Sequence, residues 1–154
     1  MPFYYSAVLY GLTTSATAGS ETDHLRMLTG AGAGAKIAGV FPVGRNVTVG
    51  GGGVRMRRYA TISTGGTGMT IAPADPRAPA AETAAYSAPT AGATGTDLME
   101  VGVSQVGGGG WVPLEADAGM QLSPGGGANG NLDFLSVMAS ASMTLDLTVE
   151  FSEE

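Results

Sequence analysis

The chain of 154 residues contains no cysteine, a single histidine and 26 glycines, and its formal net charge is −6. Without cysteine there can be no disulfide framework, thiolate nucleophile or cysteine-ligated zinc centre, and any histidine-based chemistry would have to be built on His24. Charged residues make up 13% of the chain, about half the usual quarter, which points to a protein that spends its life assembled rather than to a freely soluble monomer.

Period-2 alternation dominates the pattern and helical periodicity is scarce. Phe3 to Leu12 reads as a strand rich in Tyr, Val and Leu, and His24 to Thr29 as a short one. Gly30-Ala-Gly-Ala-Gly-Ala-Lys36 suggests a phosphate loop, but it lacks the Gly-Lys-Ser/Thr of a Walker motif, and position 35 of a dinucleotide fingerprint is Ala35. A hairpin loop is the reading it supports. Lys36 to Val43 is a strand that Pro42 assigns to an edge or a bulge. Val47 to Val49 is a brief strand, and Val54 to Ser63 is the clearest of the first half. Met69 to Ala72 follows a glycine turn.

Residues 73–96 differ in composition. Four prolines and many alanines with few large apolar side chains predict an extended arm or long loop over 73–96, with Pro73 to Ala81 its arm. Glu82 to Tyr86 fits a short strand or one helical turn. Leu98 to Val106 alternates again, Gly107 to Gly110 reads as a four-glycine turn, and Trp111-Val-Pro-Leu follows. Glu115 to Met120 is faintly helical and Met120 to Leu122 is a short strand. Leu132 to Met138 and Ser142 to Phe151 complete the chain. In the last, Met143, Leu145, Leu147, Val149 and Phe151 alternate with Thr144, Asp146, Thr148 and Glu150, as a half-buried strand requires. About ten short strands separated by Gly and Pro turns predict one all-β domain over 1–154, an antiparallel β-sandwich of jelly-roll type with long Gly/Pro-rich loops.

No convergent set of polar side chains marks an active site, and the expectation is a non-enzyme without cofactor or metal. His24 reads as a surface histidine, with Asp23 on the opposite strand face. Asn129-Gly-Asn131-Leu-Asp133 has the alternating oxygens of a calcium loop but lacks the glycine and distant Glu of an EF-hand, and an Asn-rich turn explains it equally. The charges are unevenly distributed. All seven Lys and Arg lie at or before Arg77 with three carboxylates, and ten carboxylates follow. Arg55, Arg57 and Arg58 are the densest cluster. They fit either a solvated edge guarded against sheet addition or an interface with an acidic partner. Trp111 fits a core or interface anchor, with sugar stacking as the alternative. The acidic ending Glu150-Phe-Ser-Glu-Glu154 reads as solvated. The negative net charge argues against nucleic-acid binding, no apolar run is long enough for a transmembrane helix, and the opening residues lack the basic n-region of a secretory signal.

The order of landmarks resembles the β-sandwich decoration (cement) proteins of tailed-bacteriophage capsids. The likeness is carried by the opening strand with Tyr4, Tyr5 and Tyr10, the Arg-rich strand Val54 to Ile62 and the Pro-Ala segment Pro73 to Ala81. It continues in Trp111-Val-Pro-Leu-Glu115 and the closing Thr148-Val-Glu-Phe-Ser-Glu-Glu154. The resemblance implies a structural virion protein, homotrimeric, bound to the major capsid protein on the outer capsid surface, with Arg55, Arg57, Arg58 and Trp111 as candidate interface residues. A head-fibre or tail component and a carbohydrate-binding sandwich, using Trp111 and the Asn129 to Asp133 loop, are the alternatives.

Overall fold

A computed structural model describes residues 2–14, 21–45, 51–104, 107–113, 120–138 and 143–153. Among them there are eleven strands and no helix. In chain order they are β1 (Phe3–Thr13), β2 (Glu21–Leu28), β3 (Ala35–Gly44), β4 (Gly51–Thr61), β5 (Thr67–Gly68), β6 (Ile71–Pro73), β7 (Ala84–Ser87), β8 (Ala93–Ser104), β9 (Met120–Leu122), β10 (Asn131–Met138) and β11 (Thr144–Glu153).

Two antiparallel sheets pack face to face. One has the order β6-β1-β11-β3-β9 and the other β5-β7-β2-β10-β4-β8. The chain behaves as one long hairpin rolled up on itself. The pairs β1/β11, β2/β10, β3/β9 and β4/β8 are the rungs of that hairpin, and β11/β3 and β10/β4 close the roll. This is jelly-roll order. Residues 62–92 form the hairpin's tip, where β6 adds to the edge of β1 and β7 to the edge of β2.

The core lies between the sheets. Tyr5, Ala7, Ile37, Val40, Leu145, Leu147, Val149 and Phe151 face Leu25, Met27, Val54, Met56, Val101, Val103, Leu132 and Phe134, all buried. The alternation of β11 is borne out, and Phe151 stacks on Tyr5 with ring centroids 5.5 Å apart.

Several sequence expectations change. The Gly30-to-Ala35 run is no hairpin loop, because β2 and β3 belong to different sheets and the run carries the chain between them. The four glycines from Gly107 are no tight turn. They run beside β3, with Gly44 N donating to Gly107 O (2.8 Å), Gly109 N to Pro42 O (2.8 Å) and Val40 exchanging both backbone bonds with Trp111. Pro42, having no N–H, therefore faces this ribbon and not β11. A β-carbon on Gly109 would collide with the Gly102 carbonyl, so the ribbon can lie this close only as glycine.

The proline-rich stretch is tied down. Ala74 N bonds Tyr4 O (2.8 Å), the Tyr5 hydroxyl donates to Pro79 O (3.2 Å), and Ala78 and Ala81 pack on the core. Glu153, expected in solvent, is buried and accepts the amides of Glu82 (3.1 Å) and Thr83 (2.6 Å). Of Glu82 to Tyr86, the last three residues belong to the strand β7. Val47 to Val49 and most of Glu115 to Met120 lie outside the described residues.

Candidate functional site

The outer face of the six-stranded sheet carries a dense charge cluster of three arginines and five carboxyl groups. Strand alternation puts it there. Val54 and Met56 of β4 point to the core, so Arg55 and Arg57 point out. Leu25 and Met27 do the same for Arg26, and Leu132 and Phe134 for Asn131 and Asp133.

Arg55 and Arg57 find their partners within the chain. Arg55 reaches Glu21 (2.6 Å), Glu100 (2.8 Å) and Asp97 (3.1 Å). Arg57 bonds Asp97 (2.5 Å), pairs with Glu21 and stacks over the Tyr59 ring. These bonds raise the pKa of both guanidinium groups, the hydrogen bond donated to Glu100 leading for Arg55 and that donated to Asp97 for Arg57, and they lower the pKa of Asp97. The register explains the alignment. Arg55 lies opposite Glu100 and Arg57 opposite Asp97, with Leu98 as an extra residue between them on β8. Arg58 points the other way and donates to the Gln121 carbonyl (2.8 Å) on β9 of the other sheet. The three arginines thus do not form one patch.

Beside this ladder lies a buried polar group. The loop joining β4 to β5, residues 62–66, and the loop joining β7 to β8, residues 88–92, are bridged through Thr64 and Thr90. Arg26, only 7% exposed, bonds the Ser63 and Gly65 carbonyls and lies 4.3 Å over the Tyr86 ring. Ser63, Asn131 and Asp133 are wholly buried. Asp23 sits opposite Leu135 at a bulge and approaches Asp133. Burial first, then the charge of Asp133, pushes the Asp23 carboxyl up to about 9, against the opposing pull of Arg57 and Arg26. Burial also raises Asp133, while Ser63, Asp23, Asn131 and Arg26 pull it down. These four side chains stand close to one another, yet the oxygens of Asp23, Asp133, Asn131 and Ser63 have no partner at hydrogen-bonding geometry.

His24 is not a surface residue. The bulge turns it inward, where its Nε2 meets Ser136 Oγ at 2.7 Å, and burial lowers its pKa to about 4. Among the described residues the hydrogen-bond partner of the His24 ring is Ser136, not a carboxylate. Among the described residues no three His, Asp or Glu side chains group as a metal centre. Asn131 and Asp133 lie on β10 rather than in a turn, and neither has a left-handed backbone. The sequence spacing did pick out this pair. Nothing in the pattern signalled that Ser63 and Asp23 would join it, because that depends on a loop folding back over the sheet.

The outer face of the five-stranded sheet is different in kind. It shows Tyr4, Val8, Tyr10, Phe41 and Val43, with Val112 at its margin. Tyr10 is 73% exposed, Val112 58% and Tyr4 54%. Tyr10 follows the outward alternation of Tyr4 and Val8, and a bulge beside it, with Gly11 at φ +65°, returns Leu12 to the core. Asp146 holds that bulge by accepting the Gly11 amide (2.9 Å) while it pairs with Arg45. At the other end of β1, Pro2, Phe3, Tyr4, Ala74 and Asp75 line an open groove of about 440 Å³. Trp111 is half-buried against the core. No family model, no curated protein and no solved structure matches this chain.

Proposed function

We propose that this protein is a structural virion component, a decoration protein that sits on the outer face of a phage head and strengthens contacts between capsomers. The observation that carries the reading is the outer face of the five-stranded sheet. Tyr4, Tyr10, Val43 and Val112 are exposed there, and large amphipathic rings are the side chains that anchor protein interfaces. The arginines of the other sheet are already engaged with carboxylates of the same chain, so the docking surface of this reading is aromatic rather than basic. The low charge content fits a protein that functions in an assembly. Several weak contacts multiplied over a trimer would give firm attachment without any single strong site.

Light scattering of the purified chain and heating of phage heads with and without it test this reading. The expected results are a mass three times the 15.3 kDa of one chain and a higher disruption temperature for decorated heads. A monomer that leaves the heads unchanged would reject it.

A further inference from the structure

We propose that Asp23, Ser63, Asn131 and Asp133 form a binding site for one calcium ion beneath the loop that joins β4 to β5. Three observations converge on it, and none depends on the docking role.

The first is the orphaned oxygen set. Both carboxyl oxygens of Asp23 and of Asp133, both amide atoms of Asn131 and the Ser63 hydroxyl are buried; Ser63, Asp23 and Asn131 crowd Asp133 closely enough to shift it, yet none of these atoms makes a hydrogen bond of ordinary geometry. Ser63, Asn131 and Asp133 have no exposed surface. Buried polar groups are nearly always satisfied, and a cluster that is not implies something that satisfies it. Other buried carboxylates of this protein are satisfied: Asp146 has Arg45 and the Gly11 amide, and Glu153 has two amides.

The second is charge. Arg26, Arg55 and Arg57 share this face with Glu21, Asp23, Asp97, Glu100 and Asp133. Three guanidinium groups thus meet five carboxyl groups; with Asp23 holding its proton the excess is one negative charge, and a divalent cation that displaces that proton meets an excess of two. Arg26 is committed to two loop carbonyls and Tyr86, and Arg57 to Glu21 and Asp97.

The third is donor chemistry. Two carboxylates, an amide oxygen and a hydroxyl are hard, oxygen-only donors. Calcium takes six to eight such oxygens in irregular geometry, whereas zinc selects nitrogen and sulfur ligands. Because Ser63 hangs from the loop and the other donors from β2 and β10, a bound ion would tie the loop to the sheet.

Equilibrium dialysis of the EDTA-stripped full chain against calcium tests the site. Terbium gives a second readout through sensitisation by Tyr59, which feels the charges of Asp23 and Asp133, and by Tyr86, which underlies Arg26. The expected results are one ion per chain, terbium emission reversed by calcium, and a Tm raised by about 5 °C at ~100 times Kd. Binding should be at least about tenfold weaker in Asp133→Asn, since a charged ligand is removed. Should that variant fail to fold, Asp23→Asn, at the half-buried edge of the cluster, makes the same comparison. No calcium retained by the wild-type chain at millimolar concentration would overturn the site, as would equal uptake by wild type and a folded variant.

Discussion

His24 and Asp23 are sequence neighbours that titrate in opposite senses. His24 has a folded pKa of about 4 against 6.5 when unfolded. As pH falls the unfolded chain takes the proton first, so its contribution to stability is lost between pH 6.5 and 4. Asp23 is pushed up to about 9 from 3.8, facing Asp133, Arg26 and Arg57. The folded chain keeps a proton that the unfolded chain releases above 3.8, so this contribution is lost as pH rises toward 9. The two slopes oppose each other between pH 4 and 6.5, and above 6.5 the slope belongs to Asp23 with its neighbour Asp133. In EDTA, wild-type stability should decline by roughly 2–3 kcal/mol between pH 6.5 and 9, and Asp23→Asn should remove the decline. Urea midpoints across that range measure both, and an unchanged decline in the variant would contradict the assignment. Arg57 presents a simpler case. Arg57→Gln should cost about 1–2 kcal/mol, because it leaves Glu21 and Asp97 without their shared partner in a part-exposed network.

At the scale of elements, the proline-rich loop is held chiefly by one residue far away in sequence. Glu153 at the end of β11 accepts two amides at the loop's exit, and Tyr5 of β1 fixes Pro79. Glu153→Ala should therefore expose residues 73–83 to limited proteolysis while the sandwich stays folded; mass spectrometry of the first cleavage sites would show it. Equal resistance in variant and wild type would mean the loop is held otherwise. Alternation made most strands readable, since a one-residue slip would turn Leu145, Leu147 and Val149 to solvent. The loops were less legible. Composition says that Pro73 to Ala81 has little to pack, but Ala78 and Ala81 are small enough to lie on the core, and Glu153 supplies the bonds the loop lacks. Likewise, the glycines from Gly107 read as a turn, although glycine is also what lets a ribbon lie between β3 and the Gly102 carbonyl. Bulges hid two further features. His24 turns inward, and Leu12 returns to the core beyond Gly11, because an extra residue shifts the alternation locally.

For the molecule as a whole, the rolled hairpin sends its two outer faces to different ends. One spends its charges internally and is partly roofed by loops. The other presents tyrosines and aliphatic side chains with few charges. The core between them should respond as a single unit, so Phe134→Ala and Phe151→Ala should each cost about 3–5 kcal/mol with the same loss by far-UV circular dichroism and Tyr fluorescence. The all-β sandwich was legible from strand spacing and turn residues; its strand order was not, because that order is set by pairings between strands far apart in sequence. The arginine cluster was legible as a cluster but not as self-paired, because its acids come from β2 and β8, 34 to 45 residues away. The most direct test of the docking account is co-sedimentation with undecorated phage heads of wild type, Tyr4→Ser/Tyr10→Ser and Arg55→Gln. The account predicts that wild type and Arg55→Gln pellet with the heads and that the double tyrosine variant, folded by circular dichroism, stays in solution. Pelleting of the tyrosine variant as fully as wild type, or failure of all three to pellet, would contradict it.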